Sequence, residues 1–235
     1  MRKNYKIAGL IVSMDSFGRT VQQAEPYKLS DAAIPAFYVE SLREKVKLRH
    51  RTISEDEAEY IGTGAFFYRE LLKYDGFQLH SSAVVVDGKA YLFSANSGTG
   101  KSTHTALWLK QFGERAYILN DDKPALRLID GTWYAFGTPW SGKHDISVNT
   151  QVPVAGICML ERGEKNEIVP FTGKEAIFEL YVQTNRPKSM ENRLLLLDLL
   201  DKLFATIPVW KLKCNMDPES AVTSYEAMSG LKLEG

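Results

Sequence analysis

The chain carries only two cysteines in 235 residues, no excess of either charge, and no long apolar run. Cys158 and Cys214 stand among apolar or strand-like neighbours, with no CxxC and no metal-ligand spacing. A disulfide framework and a cysteine metal site are therefore not expected, and both residues read as buried thiols of a reducing compartment. Lys plus Arg equals Asp plus Glu, 29 each. That balance argues against broad nucleic-acid binding, which needs a surplus of cations to displace counterions. No stretch reaches the 18 or so apolar residues of a membrane span, and no apolar segment follows Met-Arg-Lys-Asn-Tyr-Lys as it would in a signal peptide. Repeats and low-complexity segments are also lacking. The expectation is a cytoplasmic protein with neither nucleic acid nor membrane as partner.

What is there is 44% apolar residues, enough for a substantial core. Residues 5–14 read as a strand, 16–29 as a turn-rich connection, and 36–40 and 45–51 as short strands, the last from alternation of Lys45, Lys47 and Arg49 with Val46, Leu48 and His50. Ser54 with Glu57 forms a capping-box signature for a helix that Gly62 and Gly64 interrupt and Gly76 ends. Strands at 82–86 and 89–94 flank an Asp87-Gly88 hairpin turn. A glycine-rich loop leads to a helix over 101–112, capped by Gly113. A strand over 116–120 ends in Asp121-Asp122, a hairpin follows around Asp130-Gly131, and Gly137 to Lys143 is irregular. A strand over 154–161, helices over 173–183 and 189–206, a strand over 209–214 and a last helix from 217 or 218 complete the chain. The mixture defines an α/β class, divided near residue 75 into a small N-terminal α+β extension (1–75) and a catalytic domain (76–235).

The decisive stretch is Ala95-Asn96-Ser97-Gly98-Thr99-Gly100-Lys101-Ser102-Thr103. Its tail matches the core of a Walker A phosphate loop, with Ala95 where the strict pattern has glycine. Gly98 and Gly100 let the backbone curl so that successive N–H groups point at phosphate oxygens. The helix opening at Lys101 adds its positive end. Lys101 supplies a cation for the β- and γ-phosphates, and Ser102 a hydroxyl for Mg²⁺. The loop follows a strand and opens a helix, the context that gives the motif its meaning. Asn96 to Thr103 together are the expected nucleotide contacts, and Lys143, in a loop placed to close over phosphates, joins them.

Asp121 and Asp122 end an apolar strand about twenty residues beyond Lys101, where a Walker-B-type acid belongs. Adjacent carboxylates at a strand end point to different sides, so one can hold Mg²⁺ and the other take a proton from an attacking hydroxyl. Trp140 reads either as packing or as a cover for a base or substrate. Arg162 and Arg186 read as surface residues that could neutralise phosphate. His104 has no assigned role.

His80 before a Val-rich hairpin, Ser97 to Ser102, and the strand ending in Asp121-Asp122 together resemble the catalytic domain of bacterial HPr kinase/phosphorylase. The loop is also similar to that of ATP-dependent phosphoenolpyruvate carboxykinase. The resemblance covers about residues 77–145, and the pattern is closer to the shorter HPr-kinase-related proteins. It implies a P-loop mixed-sheet core, ATP and Mg²⁺ as cofactors, and an oligomer. It further implies Asp121 as catalytic base, Asp122 and Ser102 as metal residues, Lys101 at the phosphates, and His80 as an active-site histidine. The expected activity is transfer of the γ-phosphate to a hydroxyl of a protein, peptide or small molecule. A carboxykinase-like lyase and a non-catalytic or slowly hydrolysing nucleotide-binding regulator are the alternatives.

Overall fold

A computed structural model describes residues 2–30, 33–96 and 98–233. The chain begins with a hairpin of β1 (Lys3–Ile7) and β2 (Leu10–Met14). Its two-residue turn, Ala8-Gly9, has φ of 49° and 76°, the left-handed backbone that suits hairpin twist. Alanine is no turn signal, which is why the sequence reads as one strand here. A short helix α1 (Gly18–Ala24) occupies part of the expected turn-rich connection, and β3 (Phe37–Val39) pairs parallel with β2.

The strand expected over 45–51 is instead a helix, α2 (Arg43–Arg49). The alternation misleads because only Val46 is buried, whereas Leu48 is 78% exposed. Arg, Glu, Lys and Leu are good helix formers, and Arg43 and Lys47 both pair with Glu55. Helix α3 (Glu55–Leu71) starts as expected, with Ser54 Oγ accepting from Glu57 N–H at 3.1 Å. It runs unbroken through Gly62 and Gly64. These glycines permit close approach: a Cβ at Gly62 would lie 2.9 Å from the Leu42 and Arg43 backbone, and one at Gly64 would lie 2.9 Å from Trp140. The helix gives way at Leu72 to a 3-10 turn, and Gly76, rather than ending it, opens β4 (Gly76–Gln78).

The remaining elements are β5 (Ser81–Val86), β6 (Lys89–Ser94), α4 (Lys101–Phe112), β7 (Ala116–Asp122), β8 (Ala125–Ile129), β9 (Thr132–Phe136), β10 (Gln151–Arg162), β11 (Glu167–Pro170), α5 (Gly173–Val182), α6 (Met190–Thr206), β12 (Val209–Cys214) and α7 (Glu219–Ser229). The class is mixed α/β. The large sheet runs β4-β8-β9-β10-β6-β5-β7, with β12 also beside β10 and β11 beyond it. β10 is parallel to β6 and β12, while β5 is antiparallel to both β6 and β7.

Side chains alternate across the sheet. Val84, Val86, Tyr91 and Phe93 pack against Trp108 and Phe112 of α4 and Tyr225 and Met228 of α7. Ala83, Val85, Ala90 and Leu92 pack against Leu180 of α5 and Leu196, Leu199 and Leu203 of α6. A third cluster gathers Tyr5, Ile7 and Val12 with Phe67 and Leu71 of α3 and with Phe136 and Trp140. Cys158 is buried and Cys214 half-buried, both free. Among the described residues no helix is long and apolar enough to cross a membrane.

An exposed helical Gly→Ala change normally stabilises by up to about 1 kcal/mol. At Gly62 the added methyl meets backbone that cannot rotate away, so Gly62→Ala is expected to destabilise by about 1–3 kcal/mol. Urea unfolding of the two proteins measures the sign directly.

Candidate functional site

Three strand ends meet at one edge of the sheet. β5 starts where β6 and β7 finish, because it is antiparallel to both. The glycine-rich loop leaves β6, the acidic pair ends β7, and His80 immediately precedes β5. In register, Ser82 pairs with Asp121 and Ser81 with Asp122.

Within the loop, Ser97 lies outside the described residues. Gly98 and Gly100 have φ of 79° and 119°, and Thr99 N–H donates to the Asn96 carbonyl at 3.2 Å. Lys101 Nζ donates to the Ala95 carbonyl at 3.0 Å, which folds the lysine back over the loop. Burial lowers the Lys101 pKa, and the Asp122 and Asp121 charges oppose that shift.

A cleft of about 560 Å³ joins Gly98, Gly100, Lys101, Ser102 and Thr103 of the loop and helix to His80, Asp121, Asp122, Lys123 and Lys143. Asn96 and Thr99, expected among the nucleotide contacts, do not line it. The Asn96 side chain is turned to Gln183. Thr99 faces a second cleft of about 470 Å³ on the other side of the loop, where Leu107, Leu160 and Met216 supply apolar wall. Arg162 Nη2 donates to the Gly98 carbonyl at 2.6 Å, so it braces the loop, whereas Arg186 is exposed and outside the central cleft.

The two carboxylates are in different states. His80 Nε2 lies 2.9 Å from Asp122 Oδ1, and Lys123 Nζ contacts Asp122 Oδ2. Burial pushes the Asp122 carboxyl up, but the His80 hydrogen bond and the Lys123 charge outweigh it and hold the group well below the usual carboxylate range. Asp122 also has φ of 107°, a backbone strain of order 1–3 kcal/mol for a non-glycine residue. The Asp121 carboxylate has no hydrogen-bond or ion-pair partner among the described residues.

His80 is held from behind. Its Nδ1 lies 2.9 Å from Gln183 Oε1, and its backbone N–H donates to the Gln183 carbonyl at 2.7 Å. Gln183 Nε2 in turn donates to Asn96 Oδ1 at 3.1 Å. A continuous chain thus runs Asn96–Gln183–His80–Asp122–Lys123, tying the loop to the acidic pair. Lys143 is exposed at the cleft's rim. Beside it Gly142 packs so closely that a Cβ would lie 2.7 Å from that of Asp122. Arg19 of α1 holds this rim, donating to the Gly142 carbonyl and to Asp145 while lying 4.0 Å over the Tyr60 ring.

Trp140 and His104 are both buried. Trp140 is 1% exposed, stacks on Phe67 at 4.9 Å, and donates its Nε1–H to Thr63 Oγ1. His104 is buried with Nε2 at 3.1 Å from Ser224 Oγ, and burial lowers its pKa to about 4. Gln183, Lys123 and Arg19 are site residues that sequence reasoning misses. Gln183 lies 103 positions from His80, and Arg19 lies 123 from Gly142; no local pattern marks either. Lys123 directly follows the acidic pair and was readable only as part of a polar turn.

Among the described residues no group of three or more His, Cys, Asp or Glu is arranged to hold a metal by itself. Ser102, Asp121 and Asp122 nonetheless bring hard oxygen donors to one cleft with the loop. That set fits Mg²⁺, which keeps several waters and takes one or two carboxylates together with phosphate oxygens.

Fold and cleft define a mixed α/β protein with a glycine-rich loop, a histidine–carboxylate pair and a free carboxylate at one sheet edge. The chain belongs to the family described as SynChlorMet cassette protein ScmC, whose model matches residues 62–219. That span contains the loop, His80, both aspartates, Lys143 and Gln183. No curated protein matches the sequence. Among solved structures, the Hpr(Ser) kinase/phosphatase from Coxiella burnetii is similar with a TM-score of 0.36 and 13% identity, covering 65% of this chain and 98% of that one.

The Asp122 pairing has a pH signature. Its folded pKa lies below that of an unfolded aspartate, about 3.9, so the native state binds fewer protons in that range. The stabilisation is full above the unfolded value and is lost as pH falls through the folded one. Asp122→Asn is therefore expected to be less stable than the wild type at pH 7, with the gap narrowing as pH drops below about 4. Chemical denaturation across pH 3–7 checks this; a gap independent of pH would contradict it.

Proposed function

We propose that the chain is an ATP-dependent phosphotransferase with a P-loop core of the HPr kinase type, moving the γ-phosphoryl group to a hydroxyl acceptor. The observation that supports this most directly is the meeting, in one cleft, of the glycine-rich loop and Lys101 with Asp121, a carboxylate with no hydrogen-bond or ion-pair partner among the described residues. The loop amides of Gly98 to Ser102 and the α4 N-terminus bind the phosphates. Lys101 exchanges its Ala95 carbonyl for phosphate oxygens, a short movement because its partner belongs to the loop itself. The apolar cleft beyond Thr99 receives the nucleoside. Ser102 and Asp122 would hold Mg²⁺, which would supply positive charge to the phosphates.

Asp121 is the base. Its carboxylate takes the acceptor's proton as the hydroxyl oxygen forms a bond to the γ-phosphorus, and the bond from that phosphorus to the ADP oxygen breaks. His80, fixed by Gln183, keeps Asp122 ionised and oriented. Lys143 covers the transferring group from the rim. Such a site works by positioning and charge neutralisation more than by covalent chemistry.

Calorimetry with Mg·ATP on wild type and Lys101→Ala tests the loop. Loss of one charge-assisted contact, about 1.5–3 kcal/mol, should weaken binding roughly 10- to 100-fold. Asp121→Asn should keep Mg·ATP affinity within a few-fold while slowing transfer of labelled γ-phosphate by roughly 10²- to 10⁴-fold. Failure of the wild type to bind Mg·ATP, or full activity in Asp121→Asn, would refute the proposal.

A further inference from the structure

We infer that a small cavity beside Lys123 is the acceptor site, and that the acceptor carries a neutral apolar group, up to about the size of a benzene ring, next to its hydroxyl. This rests on the phosphotransferase reading above.

Three cavities lie in series. The apolar cleft shares Gly98, Gly100 and Thr103 with the central phosphate cleft. The central cleft in turn shares Tyr60, Ile61 and Lys123 with a third cavity of about 170 Å³. The first and third have no lining residue in common. In phosphoryl transfer the attacking and leaving oxygens are roughly in line through phosphorus. With the nucleoside at one end of the series and the phosphates in the middle, the acceptor approaches from the other end.

The lining defines what fits. Trp140 and Tyr68, 1% and 3% exposed, form rigid aromatic wall, and Ile61 and Ala65 of α3 complete the apolar side. An apolar cavity of about 150 Å³ is enough to hold benzene. Among the described residues no carboxylate lines the cavity, so an ammonium group entering it would lose hydration without a counter-charge. Its one cation, Lys123, is turned to Asp122, which leaves no free positive charge to draw an anion in. Gln78 and Asn185 supply side-chain amides with no partner among the described residues. They can hydrogen-bond an amide, ester or hydroxyl next to the apolar group. Lys123, at the junction, sets that polar edge beside the acidic pair.

The test uses 2-phenylethanol as probe on the full chain, read by saturation-transfer NMR with a non-hydrolysable Mg·ATP analogue present, and calorimetry of Mg·ATP in parallel. Wild type should saturate the ring protons, and glycerol and 2-aminoethanol should not compete. Ala65→Leu, which fills the cavity from a helical position, should weaken the probe at least tenfold while Mg·ATP affinity stays within twofold. Should Ala65→Leu fail to fold, Asn185→Trp blocks the cavity from its exposed rim, and the same loss is expected. If Mg·ATP binds normally but the probe does not bind, or binds wild type and both variants alike, the acceptor assignment is wrong while the phosphotransferase reading stands. If the wild type fails to bind Mg·ATP, both fall together.

Discussion

The cleft exists because β5 runs antiparallel between β6 and β7. That pairing puts the start of one strand beside the ends of two others, so residues from positions 80, 95–103 and 121–123 arrive at one place. β5 is buried along its whole length, so both of its faces are packed. Val84 and Val86 pack into the core on one face and Ala83 and Val85 into that on the other. The β5–β7 register shifts by one residue between Ala83 and Val84, and the Ser82–Asp121 pairing, with the His80–Asp122 contact beside it, lies beyond that irregularity.

The same geometry separates two chemically identical neighbours. Asp122 is drawn between His80 and Lys123 and held ionised there, with a positive φ and with Gly142 packed close against its Cβ. Asp121 has no hydrogen-bond or ion-pair partner among the described residues. One carboxylate with its charge pinned and one with its lone pairs free is the division that a metal-associated acid and a proton acceptor require. The loop is coupled to this pair through Gln183, so movement of Asn96 and orientation of His80 are parts of one hydrogen-bond chain.

Much of this was legible in the sequence where local chemistry decides structure. Asp87-Gly88 and Asp130-Gly131 are turn dipeptides, Ser54 caps a helix, and Lys101 opens another, so those elements fall where expected. Errors arise where tertiary contact overrides local pattern. Residues 45–51 alternate like a strand, yet their one buried side chain, Val46, serves the helix α2 against α3. Gly62 and Gly64 look like breaks but are clearances for another backbone and for Trp140. Within the site, loop, acids and His80 are recognisable by type and spacing. Gln183 and Arg19 are not, because each acts across more than 100 positions of chain.

Phosphotransfer in this cleft requires the loop between β6 and α4 to cradle phosphate with its backbone amides. Amide ¹H–¹⁵N spectra recorded as Mg·ADP is added test it most directly. The largest shifts should fall on Gly98, Gly100, Lys101 and Ser102, with smaller ones at Asn96 and His80 through Gln183. Shifts centred elsewhere on the fold, or none at saturating nucleotide, would contradict it.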